Sequence, residues 1–182
     1  LSWAAQRGSA FLTTSTKPER IRELTSGRDS TLEVSRAELR GATQLGFTTQ
    51  IKDLRRCSVF VVTVPTPIDE YKRPDLSPLV SASRAIGTVL KKGDVVVYES
   101  TVYPGATEKV AQIVSASGRD VSVAFCPERT LEGVALKELR WLPQIVGGGD
   151  LHGRSQIERG EIGTGGNGGD ETTTRELVRS EE

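Results

Sequence analysis

The sequence predicts an α/β fold built on a doubly wound parallel sheet, and two observations carry that expectation. Two short apolar runs, within VFVVTVPTPID and VVVYESTVYPGAT, each stop abruptly at a polar, proline-bearing loop. Both are too short and too rich in β-branched residues to be helices, and read as strands buried on two faces. Segments with apolar residues at helical spacing follow each run, and this alternation with short connections is the pattern of right-handed βαβ units.

Taken in order, Thr16-Lys-Pro-Glu19 sets a capping threonine three residues before a glutamate, with Ile21 and Leu24 behind it and Gly27 as the stop. This is a short helix. Ser35-Arg-Ala-Glu38 repeats the capping-box pattern and opens a second. Leu45 to Gln50 reads as a brief strand, and Ile51 to Arg55 as a helical turn leading into a strand at Ser58 to Val64. After the loop Pro65 to Pro74, Ser77 followed by Pro78 starts a helix. Its face runs through Leu76, Leu79, Val80, Ser83, Ile86, Gly87 and Leu90, and Gly93 is the expected stop. Asp94 to Ser100 is the next strand and Pro104 to Ser117 the next helix, with Ala106, Val110, Ile113 and Val114 inward and Gly118 ending it. Val121 to Phe125 is a further strand. From Gly147 the pattern fails, and the glycine-rich, charged segment 149–182 is expected to be a disordered tail behind a domain of residues 1–148.

Length and charge bound the function. A chain of 182 residues suffices for one folded domain with a core. The 24 basic and 24 acidic residues cancel and form no long block, which argues against nucleic acid as the main partner. Cys57 and Cys126 form no CxxC pair and His152 is the one histidine, so no metal site or disulfide framework is expected, and a reducing, cytoplasmic setting is the default. No apolar run nears the roughly 20 residues that span a bilayer, and the first residues lack the features of a signal peptide, so no membrane partner is expected. There is no methionine, even at position one, so the chain is expected to begin inside a longer reading frame.

In a doubly wound sheet, ligands sit beyond the carboxyl ends of the strands. Three loops are therefore expected to carry chemistry: Pro65 to Asp69, Glu99 to Thr107, and Cys126 to Glu132. The middle loop offers hydroxyls and backbone amides near a helix start, suited to a phosphate or a water. The last offers Glu128 and Glu132, four residues apart. From the residues alone, Thr66 and Thr101 read first as capping hydroxyls, and the two glutamates first as a solvated loop face.

The stretches VTVPTPIDEYKRPDLSPL, KKGDVVVYESTVYPGATE and CPERTLEG, in this order and spacing, resemble the NAD-binding domain of the UDP-glucose/GDP-mannose dehydrogenases. These enzymes oxidise a nucleotide sugar at C6 to a uronic acid. VPTPID and ESTVYPGATE are nearest to members acting on UDP-N-acetylhexosamines. The resemblance covers about Lys17 to Gly148, and it implies a Rossmann-like fold, NAD as cofactor, a UDP-sugar substrate and a homo-oligomeric complete enzyme serving surface polysaccharide synthesis. It implies that Thr66 lies beside the ribose or pyrophosphate, that Thr101 holds a water and contacts the nicotinamide, and that Arg20 meets the adenosine side. It implies that Glu128 assists proton transfer or water activation and that Glu132 lies close to the nicotinamide and the substrate loop. Two hydride transfers, a proton removal and one water convert an alcohol to an acid, so a carboxylate base within reach fits the chemistry.

The departures are specific. The family's first strand and G-x-G-x-x-G turn have no counterpart here. The acidic residue that binds the ribose hydroxyls falls at about Ser15, which cannot replace a bidentate carboxylate. Neither Cys57 nor Cys126 matches the family's nucleophilic cysteine. The expectation is therefore a fragment inactive by itself, or, alternatively, a non-catalytic remnant that binds a nucleotide or a protein partner.

Overall fold

The computed structural model describes residues 11–15, 17–127 and 147–148, and these divide into two compact units, the first ending at Leu54 and the second starting at Arg55. In the first unit, β1 (Phe11–Thr14) pairs in parallel with β2 (Leu45–Thr48), from Phe11 opposite Leu45 to Thr14 opposite Thr48. Helix α1 (Pro18–Thr25) opens with proline, whose missing N–H belongs to the first turn, where helical donors have no partner in any case. It buries Ile21 and Leu24 and packs against β2. Gly27, at φ 76°, takes the left-handed conformation that closes the helix. Helix α2 (Arg36–Gly41) has the expected capping box: Ser35 Oγ accepts the Glu38 N–H at 3.2 Å, and the Glu38 carboxylate accepts the Ser35 N–H at 2.9 Å.

The second unit holds a four-stranded sheet in the order β3 (Val59–Val62), β4 (Val95–Tyr98), β5 (Ser122–Phe125), β6 (Gly147–Gly148). The first three strands are parallel, with Val59, Val95 and Ser122 in one row and Val62, Tyr98 and Phe125 in another. Every residue of β4 is at most 1% exposed. A strand covered on both faces must be apolar throughout, which is why VVVY lacks the alternation of a half-exposed strand. Helices α3 (Ser77–Gly87) and α4 (Ala106–Ser115) lie against each other, and α3 also meets β3. They bury Leu79 and Ser83 from α3 and Ala106, Val110 and Val114 from α4. Inside this core the Ser83 hydroxyl donates to the Leu79 carbonyl and meets the Tyr98 hydroxyl, both at 2.7 Å, so Tyr98 supplies the second proton. Burial pushes the Tyr98 phenol above its usual pKa.

Behind the strand starts, Asp94 and Lys91 form a latch. The Asp94 carboxylate accepts the Lys91 N–H at 2.7 Å, and the Lys91 ammonium donates to the carbonyls of Arg55 and Cys57. The residues entering β3 are thereby tied to those entering β4.

The structure differs from the sequence expectations in five places. Strand β3, expected to be buried on both faces, buries Phe60 and Val62 but leaves Val61 44% exposed on the other face. The α1 N-cap is Lys17, which makes no side-chain cap, and Thr16 lies outside the described residues. Helix α3 ends at Gly87, short of Gly93: the Thr88 hydroxyl bonds back to the Ala85 carbonyl, and a tight turn then buries Val89 and Leu90. Strand β6 runs antiparallel to β5, adding a mixed edge to a sheet expected to be parallel. Lastly, the described strands form two sheets, of two and four strands, in place of one. The expected disordered tail, Trp3, Trp141 and His152 lie outside the described residues.

Leu79, 1% exposed, anchors α3 in this core. Leu79→Ala is expected to destabilise the fold by about 2–5 kcal/mol, read as a lower urea midpoint at unchanged slope. Tyr98→Phe, which removes one buried hydrogen bond and leaves Ser83 its bond to Leu79, is expected to cost only about 1 kcal/mol in the same assay.

Candidate functional site

The loops that leave β3 and β4 are tied together by side-chain hydroxyls. Ladder pairing ends with the Glu99 N–H donating to the Val62 carbonyl at 3.0 Å. Beyond it, the Ser100 hydroxyl donates to the Val64 carbonyl, and the Thr66 hydroxyl to the Thr101 carbonyl, both at 2.7 Å. Thr66 and Thr101 therefore meet although 35 residues separate them in sequence. The Thr66 hydroxyl proton is committed to this bond, so toward a ligand Thr66 can only accept. Thr101 is exposed, and its own hydroxyl has no hydrogen bond among the described residues.

Each loop is also internally braced. Asp69 accepts the backbone N–H of Tyr71 and of Arg73 through one oxygen, at 2.9 and 2.8 Å, and the Arg73 Nε–H through the other at 2.9 Å. The backbone N–H of Arg73 leads the interactions that hold the Asp69 carboxyl below its usual pKa. Lys72 sits at φ 60°, a conformation uncommon for a side-chain-bearing residue, and Ile68 bridges to Pro74. Asp75, one residue before the N-cap Leu76, accepts the N–H of Ser77, the first residue of α3, at 2.8 Å. In the β4–α4 loop, Gly105 at φ 88° is the N-cap of α4, a position where a β-carbon would be strained. The Tyr103 ring lies under the Lys109 ammonium at 5.4 Å from its centroid, and the Tyr103 hydroxyl accepts from that ammonium at 3.1 Å.

The third loop starts at Cys126, 1% exposed and packed with Val95, Val97 and Ala124, its N–H bound to the Tyr98 carbonyl at 2.8 Å. Glu128 and Glu132 lie outside the described residues.

In the first unit, Ser15 directly follows β1, and its hydroxyl oxygen accepts the Lys17 N–H at 3.1 Å. Arg20 is held on three sides: Nη1 donates to Glu23 at 3.0 Å and to Ser30 at 3.3 Å, and Nη2 donates to Asp29 at 2.6 Å. Asp29 gathers the loop after α1. Its 2%-exposed carboxylate also accepts the Thr31 hydroxyl and the N–H groups of Thr31 and Val34. Burial alone would raise its pKa, but the bonds from Thr31, Arg20 and Val34 prevail and hold the carboxyl well below the usual carboxylate range. The sequence reading missed both Asp29 and Ser100. The signals were a carboxylate shortly after a helix-stop glycine, placed for an Asx turn, and a hydroxyl directly after a buried strand.

Parallel strands with loops gathered at their carboxyl ends define a dinucleotide-binding α/β domain. The family model described as the UDP-glucose/GDP-mannose dehydrogenase family, NAD binding domain, matches residues 2–159, and the chain belongs to that family. It is 58% identical over 120 residues to a UDP-N-acetyl-D-glucosamine 6-dehydrogenase of Pseudomonas aeruginosa, covering 63% of this chain and 28% of that protein. A Salmonella typhi protein of the same description is 46% identical over 136 residues, 71% of this chain and 32% of the relative. The chain thus spans under a third of these relatives. Among solved structures, a UDP-D-ManNAc dehydrogenase from Pyrococcus horikoshii matches with a TM-score of 0.81 at 30% identity, over 87% of this chain and 40% of the other.

The β3–α3 and β4–α4 loops present an accepting Thr66, a free Thr101 hydroxyl and a glycine-opened helix start, which suit ribose, phosphate and amide groups. In the first unit, considered by itself, the residue after β1 is Ser15, near where the family resemblance expects a carboxylate. Among the described residues, no helix is long and apolar enough to cross a membrane, and no cluster suits a metal ion.

Asp29→Asn is expected to lower stability by about 1–3 kcal/mol at neutral pH by weakening bonds to a charged group. Because the native carboxyl titrates below its unfolded pKa of about 3.9, its contribution is fully present above that value and is lost as pH falls further. Thermal melts should show the gap between wild type and variant closing below about pH 4.

Proposed function

We propose that this chain is the cofactor-binding part of an NAD-dependent nucleotide-sugar 6-dehydrogenase that oxidises a UDP-N-acetylhexosamine to its uronic acid, a reaction feeding surface polysaccharide synthesis. The observation that carries the reading is the Thr66–Thr101 hydrogen bond. It brings together two of the residues that the family resemblance assigns to the cofactor, on loops following adjacent parallel strands. The 58% identity to a UDP-N-acetyl-D-glucosamine 6-dehydrogenase supports the substrate class.

In this reading Thr66 accepts from a cofactor ribose hydroxyl while its own proton fixes the neighbouring loop. Thr101 positions a water and the nicotinamide amide. NAD, when bound, accepts the hydride from the sugar C6. Glu128 takes the proton or activates the water, Glu132 flanks the nicotinamide and the substrate loop, and Arg20 belongs to the adenosine side, where it acts through the loop it holds. Residues 1–148 form the domain and 149–182 a tail. The complete enzyme works as a homo-oligomer in the reducing cytoplasm, a setting consistent with Cys57 and Cys126 both being free thiols.

Calorimetric titration of the purified chain with NAD tests this. Binding is expected, weakened about tenfold by Thr101→Ala, the scale of one lost hydrogen bond to a ligand group. Thr66→Val should weaken it similarly, by releasing the loop carrying Thr101. Absence of binding by a chain with native circular dichroism would overturn the assignment of these loops.

A further inference from the structure

We infer that Ser100 is a positioning residue: its hydroxyl occupies a carbonyl that would otherwise pair with the Thr101 N–H, and so leaves Thr101 to meet the cofactor with two donors, its peptide N–H and its hydroxyl. The inference rests on the cofactor reading above and concerns how the β4–α4 loop makes its donors available.

Parallel pairing sets what the backbone would do without Ser100. Val62 stands opposite Tyr98, and the bond from the Glu99 N–H to the Val62 carbonyl continues the ladder one residue past β4. Bonds of a parallel ladder are evenly spaced and recur at every second residue, so the next would run from the Thr101 N–H to the Val64 carbonyl. That bond is not formed. The Val64 carbonyl accepts the Ser100 hydroxyl at 2.7 Å, and the Thr101 N–H has no hydrogen bond among the described residues. A hydroxyl in place of the peptide donor lets the two chains part here without stranding a half-buried carbonyl.

The carbonyl of Thr101 is handled in the same way, since it accepts the Thr66 hydroxyl at 2.7 Å. The acceptor of the Thr101 backbone is thus spent, while its N–H and its hydroxyl are both open. Burial divides the two adjacent hydroxyls: Ser100 is 6% exposed and works inside the fold, whereas Thr101 is exposed. Two donors on one residue suit an acceptor oxygen of a ligand or of a water it holds, and in the cofactor reading that oxygen lies at the nicotinamide end. Removing the Ser100 hydroxyl has a definite consequence. The Val64 carbonyl loses its donor, and the Thr101 N–H, the next donor along the ladder, closes onto it and withdraws from the ligand.

Residue-resolved amide hydrogen exchange and calorimetry on the full chain test this. In the free wild type the Thr101 N–H is expected to exchange without the protection of the Glu99 N–H, and to become protected when NAD is added. Ser100→Ala is expected to protect it in the free chain and to weaken NAD binding by about tenfold, while affinity for ADP-ribose, which lacks the nicotinamide, stays unchanged. Ser100→Thr, which keeps the hydroxyl, should follow the wild type in both measurements. A Thr101 N–H already protected in the free wild type would overturn the inference. So would a Ser100→Ala chain of native circular dichroism that binds NAD as the wild type does, or that loses NAD and ADP-ribose alike, the mark of a merely structural role; in either case the cofactor reading stands. Absence of NAD binding by the wild type would overturn both. Should Ser100→Ala fail to fold, exchange at Thr101 in the wild type with and without NAD still decides.

Discussion

The second unit depends on one strand being buried on both faces. Val95 to Tyr98 is shielded at every position, flanked in register by β3 and β5, and every loop that could do chemistry in this unit leaves from one of these three strands. A strand so placed tolerates no polar side chain unless it is partnered, and Tyr98 obeys the rule through Ser83. Rigid parallel pairing fixes where Val62 and Tyr98 end, and hence where the two following loops begin. The bond from the Glu99 N–H to the Val62 carbonyl carries that register one step past β4, and the hydroxyls of Ser100 and Thr66 hold the two loops together beyond it.

In the first unit the ordering force is electrostatic. Asp29 is a nearly inaccessible carboxylate surrounded by four donors, one of them a guanidinium. Such a group strongly favours the one loop conformation that satisfies it, since an unpaired buried charge is costly. Arg20, which the family resemblance puts near the adenosine, therefore has a structural task in this chain: both of its Nη atoms hold the fold.

The sequence made β4 legible because two-sided burial leaves a compositional mark, the unbroken valine run, but the like composition of β3 hid that Val61 is exposed. The Ser35 capping box and the helix beginning at Ser77 were equally legible, since each rests on local hydrogen bonds between residues a few positions apart. The end of α3 was not, because Thr88 competes with the helix for its own backbone while the apolar pattern continues into the turn. The antiparallel Gly147–Gly148 strand was also out of reach, for two glycines carry no side-chain period. In the candidate site, Thr66 and Thr101 were found through loop position and family likeness. Their mutual bond joins residues far apart in the chain, and periodicity and spacing do not reveal such pairs. Asp29 went unnoticed because its importance comes from convergence of several donors, which only the folded backbone brings about.

The latch at Lys91 has a consequence of another kind. Its ammonium and the Asp94 carboxylate bind the segments entering β3 and β4, while Ser100 and Thr66 join the segments leaving them. The same pair of strands is thus fastened at both ends, by an ion pair and backbone carbonyls at one end and by neutral hydroxyls at the other. Salt acts on the first set of bonds and barely on the second. The entrance end can therefore loosen in high salt while the ligand-facing loops keep their spacing, so that loss of stability and loss of binding need not follow the same ionic-strength curve.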